Sequence, residues 1–338
     1  MSQVKTNFFL TGATGYIGGT VLTRFLAHPR ANTFRFTVLV RDPKKAEVFK
    51  ELGVKAVVGS RSDVELVERL ASQADVVISI ADCDDVGAAK ATLQGLRKRG
   101  ASGTVPIFIH TSGAGVIFDD AKGMHSDATI YDDSDADQIE TIAPTQKHRD
   151  VDLLIIAADT EGMYSIRLGT GHGTPCRLGR PEPSLNADPI LVKAALDRGR
   201  AGMVGEEKNI WHNVEIHELA DLYITLYDKI VADPDTGHGR NGFYFGESGE
   251  HSLYAVSKEI GTALVALKKS DSAEPMTFTQ ADLNKYFRGS SFLGSNSRCR
   301  ATRARAFGWK PTKSTSDMLA SIRPEMEVVI KKNTGSAT

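Results

Sequence analysis

The sequence is poor in several features that would mark other classes of protein. Its three cysteines, Cys83, Cys176 and Cys299, stand far apart, without the density of a disulfide-stapled chain or the spacing of a metal or redox motif. They read as reduced structural thiols. Net charge is nearly absent: 41 Lys and Arg offset 42 Asp and Glu, which argues against nucleic acid as the main partner. No apolar run approaches the ~20 residues of a membrane span, so no membrane partner is expected. The polar start reaches the first apolar run within a few residues, leaving no room for a secretory signal, and a cytoplasmic location is the expectation. No internal repeat or low-complexity tract appears. What remains, 41% hydrophobic over 338 residues, suits a soluble globular chain with a large core.

One segment stands out from that background. Phe8-Phe9-Leu10 is an apolar, strand-like run, and Thr11-Gly12-Ala13-Thr14-Gly15-Tyr16-Ile17-Gly18-Gly19 follows it directly. From Ile17 onward, Val21, Leu22, Phe25 and Leu26 recur at helical spacing. Strand, glycine turn and helix is the order a dinucleotide needs. Gly12 can take the tight turn, Gly15 lets the backbone approach a pyrophosphate, and Gly18 lets helix pack on strand. The helix start then offers unpaired N–H groups and a positive dipole end. Gly12, Ala13, Thr14, Gly15, Tyr16, Ile17 and Gly18 are therefore the expected cofactor loop.

Short apolar runs alternate with helical patterns through the first half. Strands are expected at 7–10, 35–40, 55–58, 75–80, 106–110 and 163–168, and helices at 16–27, 43–51, 64–71, 86–98 and 147–158. Such alternation predicts right-handed crossovers and a Rossmann-type, doubly wound parallel α/β sheet. The rhythm breaks twice. Residues 113–145 carry Asp119, Asp120, Asp127, Asp132, Asp133, Asp135, Asp137 and Glu140, a long acidic stretch expected to be a lid or partly mobile. Residues 169–189, rich in Gly and Pro, take the chain off the sheet. Beyond them a helix at 190–197, a strand at 209–216, a helix at 217–228 and a strand at 241–245 are expected, the last returning to the main sheet. This divides the chain into an NAD(P)-binding Rossmann domain over 1–180 and a smaller α/β substrate lobe over 181–338. Arg298, Arg300, Arg303 and Arg305 read as a solvated helix face.

The opening Thr-Gly-Ala-Thr-Gly, with glycines spaced G-x-x-G-x-x-G, resembles the short-chain dehydrogenase/reductases. More narrowly it resembles their extended and atypical branches, which include epimerases, dehydratases and NmrA-like proteins. Later segments fit in the right order. Residues 211–222 are similar to the branch's "V-x-V-x-D-L-A", with Glu218 for the usual Asp; Asn241-Gly242-Phe243-Tyr244-Phe245 is similar to its late strand; Phe307-Gly308-Trp309-Lys310-Pro311 resembles its "L-G-W-x-P". The resemblance implies an NAD(P) cofactor and a small-molecule substrate, and a homodimer is compatible with it. It also places Asp63 near the adenine amine and Ala81 and Asp82 beside the nicotinamide ribose. As helix caps, Asp63, Asp82, Asp84 and Asp85 have a second explanation. His172, in Thr170-Gly171-His172-Gly173, falls where extended relatives line the substrate pocket.

Val40-Arg41-Asp42-Pro43-Lys44 bears on the choice of nicotinamide. An acidic residue ending this strand would bond the ribose of NAD(H), whereas an arginine accommodates the 2′-phosphate of NADP(H). Arg41 comes first, its planar fork suits phosphate, and Lys44 could add charge. NADP(H) is favoured over NAD(H), although Asp42 would repel that phosphate.

Most of the superfamily reacts through Ser and Tyr-x-x-x-Lys. The fifth strand ends His110-Thr111-Ser112-Gly113, so Ser112 resembles the family's serine, with Gly113 beside it as a substrate contact. With Asp152 taken as the acidic residue four beyond the lysine, His148 falls on the lysine position and Pro144 on the tyrosine position. The tyrosine is missing. Tyr131 or His148 could manage the proton instead, and His148 could also reach the ribose. A Tyr-x-x-x-Lys string at 254–258 lies on an expected peripheral helix, outside the right context. Expected functions are hydride transfer to a small organic carbonyl, imine or activated alkene, an epimerase or dehydratase with recycled cofactor, or a non-catalytic NADP-binding redox sensor. No metal site is expected, since His212 and His217, five apart, would face opposite sides of a strand.

Overall fold

The computed structural model describes residues 5–103, 105–161, 163–170 and 189–333. Its first half alternates strands and helices: β1 (Thr6–Thr11), α1 (Tyr16–Leu26), β2 (Phe34–Val40), α2 (Pro43–Glu51), β3 (Lys55–Val58), α3 (Val64–Ala71), β4 (Val76–Ser79), α4 (Val86–Gly100) and β5 (Ile107–Thr111). A short β6 (Tyr131–Asp132) and α5 (Ala136–Glu140) precede α6 (Arg149–Ala158) and β7 (Tyr164–Thr170). After α7 (Pro189–Arg198) come β8 (Gly202–Met203), β9 (Ile210–Asn213), α8 (Ile216–Ala232), β10 (Phe243–Gly246), β11 (Gly249–Ser252) and α9 (Leu253–Ala266). The chain continues through β12 (Met276–Thr277), α10 (Gln280–Phe287), β13 (Cys299–Arg300), α11 (Thr302–Ala306) and α12 (Thr315–Asn333).

The main sheet runs β10-β7-β5-β4-β1-β2-β3, every neighbouring pair parallel. Strand order reverses between β1 and β4, and in such sheets ligands bind beyond the strand C-termini at that reversal. Alternation along β1 explains the two layers. Phe8 faces an aromatic cluster with Phe25, Phe34, Phe36 and Tyr227, between the sheet and α1 and α8, while Phe9 packs on the opposite face with Leu70, Leu93 and Phe108. A separate core formed by Leu191, Val192, Trp211, Ile260, Leu264, Phe287 and Met326 holds the second lobe.

The late strand expected to rejoin the sheet does so, with Phe243 opposite Arg167. Residues of α8 also join the main core through Leu219, Leu222, Tyr223 and Leu226. The strand expected over 209–216 ends at Asn213, because Glu215 caps α8 by accepting from His217 N and Glu218 N. The acidic stretch, expected to be a lid or partly mobile, is held by its own acids. Asp135 caps α5, Asp119 accepts from Asn296 N and Nδ2, and Asp133 is buried while accepting from Phe245 N. Gly123 N donates to Gly294 O at 2.7 Å, tying the stretch to the second lobe. The arginines read as a solvated helix face are instead paired, with Arg300 and Arg305 still exposed. Arg298 and Arg300 pair with Glu250, Arg305 pairs with Glu247, and Arg303 donates to the Asp133 carbonyl. Acids spread over the fold supply partners that sequence spacing could not show.

Candidate active site

The glycine turn lies at the sheet's reversal point. Gly12 has φ +78°, and a Cβ there would meet Ala81 N at 3.0 Å, so this turn packs directly on the end of β4. A Cβ on Gly18 would stand 2.3 Å from the Gly12 carbonyl oxygen. Thr11 Oγ1 accepts from Ile80 N at 3.3 Å, joining the two strand ends. Gly15 occupies the N-cap position of α1, and no side chain caps that helix. The contrast with its neighbours is sharp: Asp42, Asp63 and Asp85 cap α2, α3 and α4 with their carboxylates. Each such cap contributes about 1 kcal/mol. Of these four helices α1 alone has no side-chain cap, the arrangement that suits an anion site.

Asp42 is engaged in its capping bond to Lys44 N at 2.9 Å, while Arg41 and Lys44 are exposed just beyond β2. Asp63, offered for the adenine, caps α3 through Leu66 N. Asp82 adopts φ +46° and bonds Arg61, which also donates to the Ala81 carbonyl and pairs with Asp85. The Arg61 hydrogen bond holds the Asp82 carboxyl below its ordinary range. Arg61 thus organises the loop after β4. Sequence reading missed it, because its partners lie some twenty residues onward and leave no local pattern.

Beyond β5 the chemistry-bearing side chains converge from three segments. Ser112 is buried, and its Oγ donates to Asp152 Oδ2 at 3.1 Å on α6. Burial pushes the Asp152 carboxyl up to about 6, against the pull of the Arg167 charge. Desolvation lowers Arg167 to about 10 and His110 to about 3, so His110 is neutral. A polar floor of His110, Arg149, Asp152 and Arg167 therefore lies beneath Ser112, inside the protein.

His148 explains why α6 starts at Arg149 when the pattern suggested 147. Its backbone is left-handed, φ +69°, a conformation that costs a non-glycine residue about 1–2 kcal/mol. Such strain persists only where the surroundings enforce it, and it clusters at functional sites. The enforcing contacts are visible. A Cβ on Gly113 would lie 2.6 Å from His148 Nε2, and one on Gly115 2.9 Å from it, so the ring rests on a strip of glycine backbone. The opposite ring nitrogen, Nδ1, pairs with Asp84 and stands 3.2 Å from Cys83 Sγ. Burial and the neighbouring Asp84 charge push the Cys83 thiol up to about 12.

The structure thus brings together Ala81, Asp82, Gly113, Ser112 and His148 around the strand ends. Tyr131 is engaged elsewhere: its backbone N donates to Arg298 O within the β6–β13 pair, and its hydroxyl bonds Thr141. Its desolvation raises the phenol above the ordinary range. His172 lies outside the described residues. Tyr254 and Lys258 sit on α9, where both bond Glu274. His212 is buried against the Ser297 carbonyl, and His217 opens α8. Among the described residues no helix is long and apolar enough to cross a membrane.

Comparison with known proteins agrees with this geometry. Residues 5–97 match the model of the NmrA-like family. The chain is 29% identical over 351 residues to the oxidase ucsJ of Acremonium sp, covering 96% of each chain. Its fold superimposes on the dTDP-glucose 4,6-dehydratase DesIV of Streptomyces venezuelae, solved with NAD and TYD bound, with a TM-score of 0.67, 17% identity and coverage of 97% and 98% of the two chains. It also matches the UDP-glucose 4-epimerase of Thermotoga maritima, with a TM-score of 0.64, 15% identity and coverage of 97% and 99%. Residues 5–97 are therefore similar to the NmrA-like family, and the chain shares the fold of these epimerase and dehydratase structures.

Proposed function

We propose that the protein is an NAD(P)-dependent oxidoreductase that draws hydride from NADPH, in preference to NADH, and delivers it to a small organic carbonyl, imine or activated alkene. The observation that carries this reading is the uncapped N-terminus of α1 behind Gly12, Gly15 and Gly18, set at the sheet's reversal point. The relationship to an oxidase along nearly the whole chain supports redox chemistry. Arg41 and Lys44 are exposed beside Asp42, whose carboxylate is occupied by its helix cap, and this favours the 2′-phosphate.

Hydride would pass from the nicotinamide to the substrate carbon, and a proton to the oxygen or nitrogen that gains charge. Of the two proton candidates, His148 suits the task. Asp84 accepts from Nδ1–H, so His148 would act in its doubly protonated form, with Nε2–H donating toward the Gly113 backbone, where a substrate would lie. Ser112, bonded to Asp152, would hold the strand end in register beneath that substrate.

Titration of the purified protein with NADPH and NADH, followed by nicotinamide fluorescence, tests the cofactor. Tighter NADPH binding is expected. Preference for NADH would overturn the role of Arg41, and no binding of either would overturn the oxidoreductase reading. One observation favours a second reading: Pro144 stands at the family's tyrosine position, as it would in a non-catalytic sensor of the NADPH/NADP+ ratio. A sensor requires different affinities for the two redox forms; equal affinities exclude it.

A further inference from the structure

The side chains around His148 hold a feature that proton transfer does not use. Cys83 Sγ, an Asp84 carboxylate oxygen and His148 Nδ1 all lie within 4.8 Å of one another. Two of these atoms compete for the third. A neutral imidazole nitrogen carries one proton or one lone pair, so Nδ1 can bond Asp84 or Cys83 but cannot satisfy both. Nor is this a nucleophilic triad, in which the thiol and the carboxylate would occupy opposite ring nitrogens. Three potential ligand atoms this close together can hold a cation, and sulfur, nitrogen and oxygen together suit zinc.

We propose that Cys83, Asp84 and His148 Nδ1 form a zinc site whose occupation switches the enzyme off. The inference rests on the role given above to His148. Zinc would take over the nitrogen that Asp84 now holds, releasing the thiol proton and the Nδ1 proton to solvent, and would lock the ring as a neutral ligand that cannot become the imidazolium donor. Ideal zinc bonds of about 2.3 Å to sulfur and about 2.0 Å to nitrogen place those two ligands about 3.6 Å apart. The observed 3.2 Å between Sγ and Nδ1 is close to that edge. The Asp84 carboxylate must draw back by about an ångström from its present contact, and at 49% exposure it is free to do so. His148 is the rigid member, held by the Gly113 and Gly115 backbone. The loop also carries Asp82 and Asp85 against the single guanidinium of Arg61, so its field attracts a cation. Three protein ligands leave a fourth position for water at the exposed Asp84 side.

The test uses the full-length protein loaded with zinc, dialysed, and assayed with a chromophoric chelator, with no turnover required. One retained zinc per chain is expected, and cobalt in its place should give thiolate-to-metal absorption. Cys83→Ala and Cys83→Ser should both lose the retained zinc and the absorption band. Both should keep NADPH-dependent turnover while escaping inhibition by added zinc. Failure to retain zinc, or an unchanged cobalt spectrum in Cys83→Ala, overturns the site. Zinc retention without any hydride transfer leaves the site standing and sinks the oxidoreductase reading; turnover unaffected by bound zinc sinks the inhibitory role.

Discussion

The two ends of the crevice are built by different means. At the end proposed for the nucleotide, backbone does the work: Gly12, Gly15 and Gly18 fall within seven residues, and their missing Cβ atoms permit the turn and the close packing. At the end proposed for the reaction, side chains do it: Asp84, Ser112, and His148 with Asp152 come from three separate segments. A backbone site tolerates change outside its few glycines. A side-chain site depends on every segment arriving in register, and its strain at His148 and buried charges at Asp152 and Arg167 show what that costs.

The contrast can be broken in four ways. Gly18→Val has the largest expected effect, because even a Cβ would sit 2.3 Å from the Gly12 carbonyl; nucleotide-induced fluorescence should vanish while circular dichroism shows a folded chain. Retained binding would mean the loop does not hold the pyrophosphate. Next, His148→Asn keeps a residue that tolerates the left-handed backbone but removes the acid, so turnover should fall about 100-fold or more with the NADPH dissociation constant little changed. Equal turnover would move the proton to another group. Arg41→Ala sharpens the nucleotide side: NADPH affinity should weaken about tenfold and NADH affinity hardly at all, as expected for loss of one charge-assisted phosphate contact.

The smallest effect tests whether buried acids are confined to the reacting end. Glu207, in the second lobe, is buried with φ +47°, and burial pushes its carboxyl from 4.5 up to about 8. The folded protein therefore keeps a proton that the unfolded chain gives up at lower pH. The corresponding stabilisation is complete below about 4.5 and is lost as pH rises toward 8. Glu207→Gln should flatten the fall of Tm with pH across that window. An unchanged slope would show that Glu207 ionises normally.

Much of this was legible in the chain itself. The glycine loop, the alternating strands and helices and the returning strand at 243–246 were readable, because each rests on local conformational preference or on apolar period. The acidic stretch and the arginine cluster were misread because charged residues look solvated until their partners are known. Asp119 meets Asn296 and Arg305 meets Glu247 only when the chain closes. Arg61 and Cys83 carried no signal at all.

The sequence alone determined the sheet and the glycine turn at its reversal point, since backbone geometry, helix caps and alternating burial are set within a few residues. Only the tertiary structure decided what surrounds His148. Its ring rests on Gly113 and Gly115 and its Nδ1 meets Asp84 and Cys83, contacts spanning 33 to 65 positions, and no short-range preference records which distant side chains a fold will bring together.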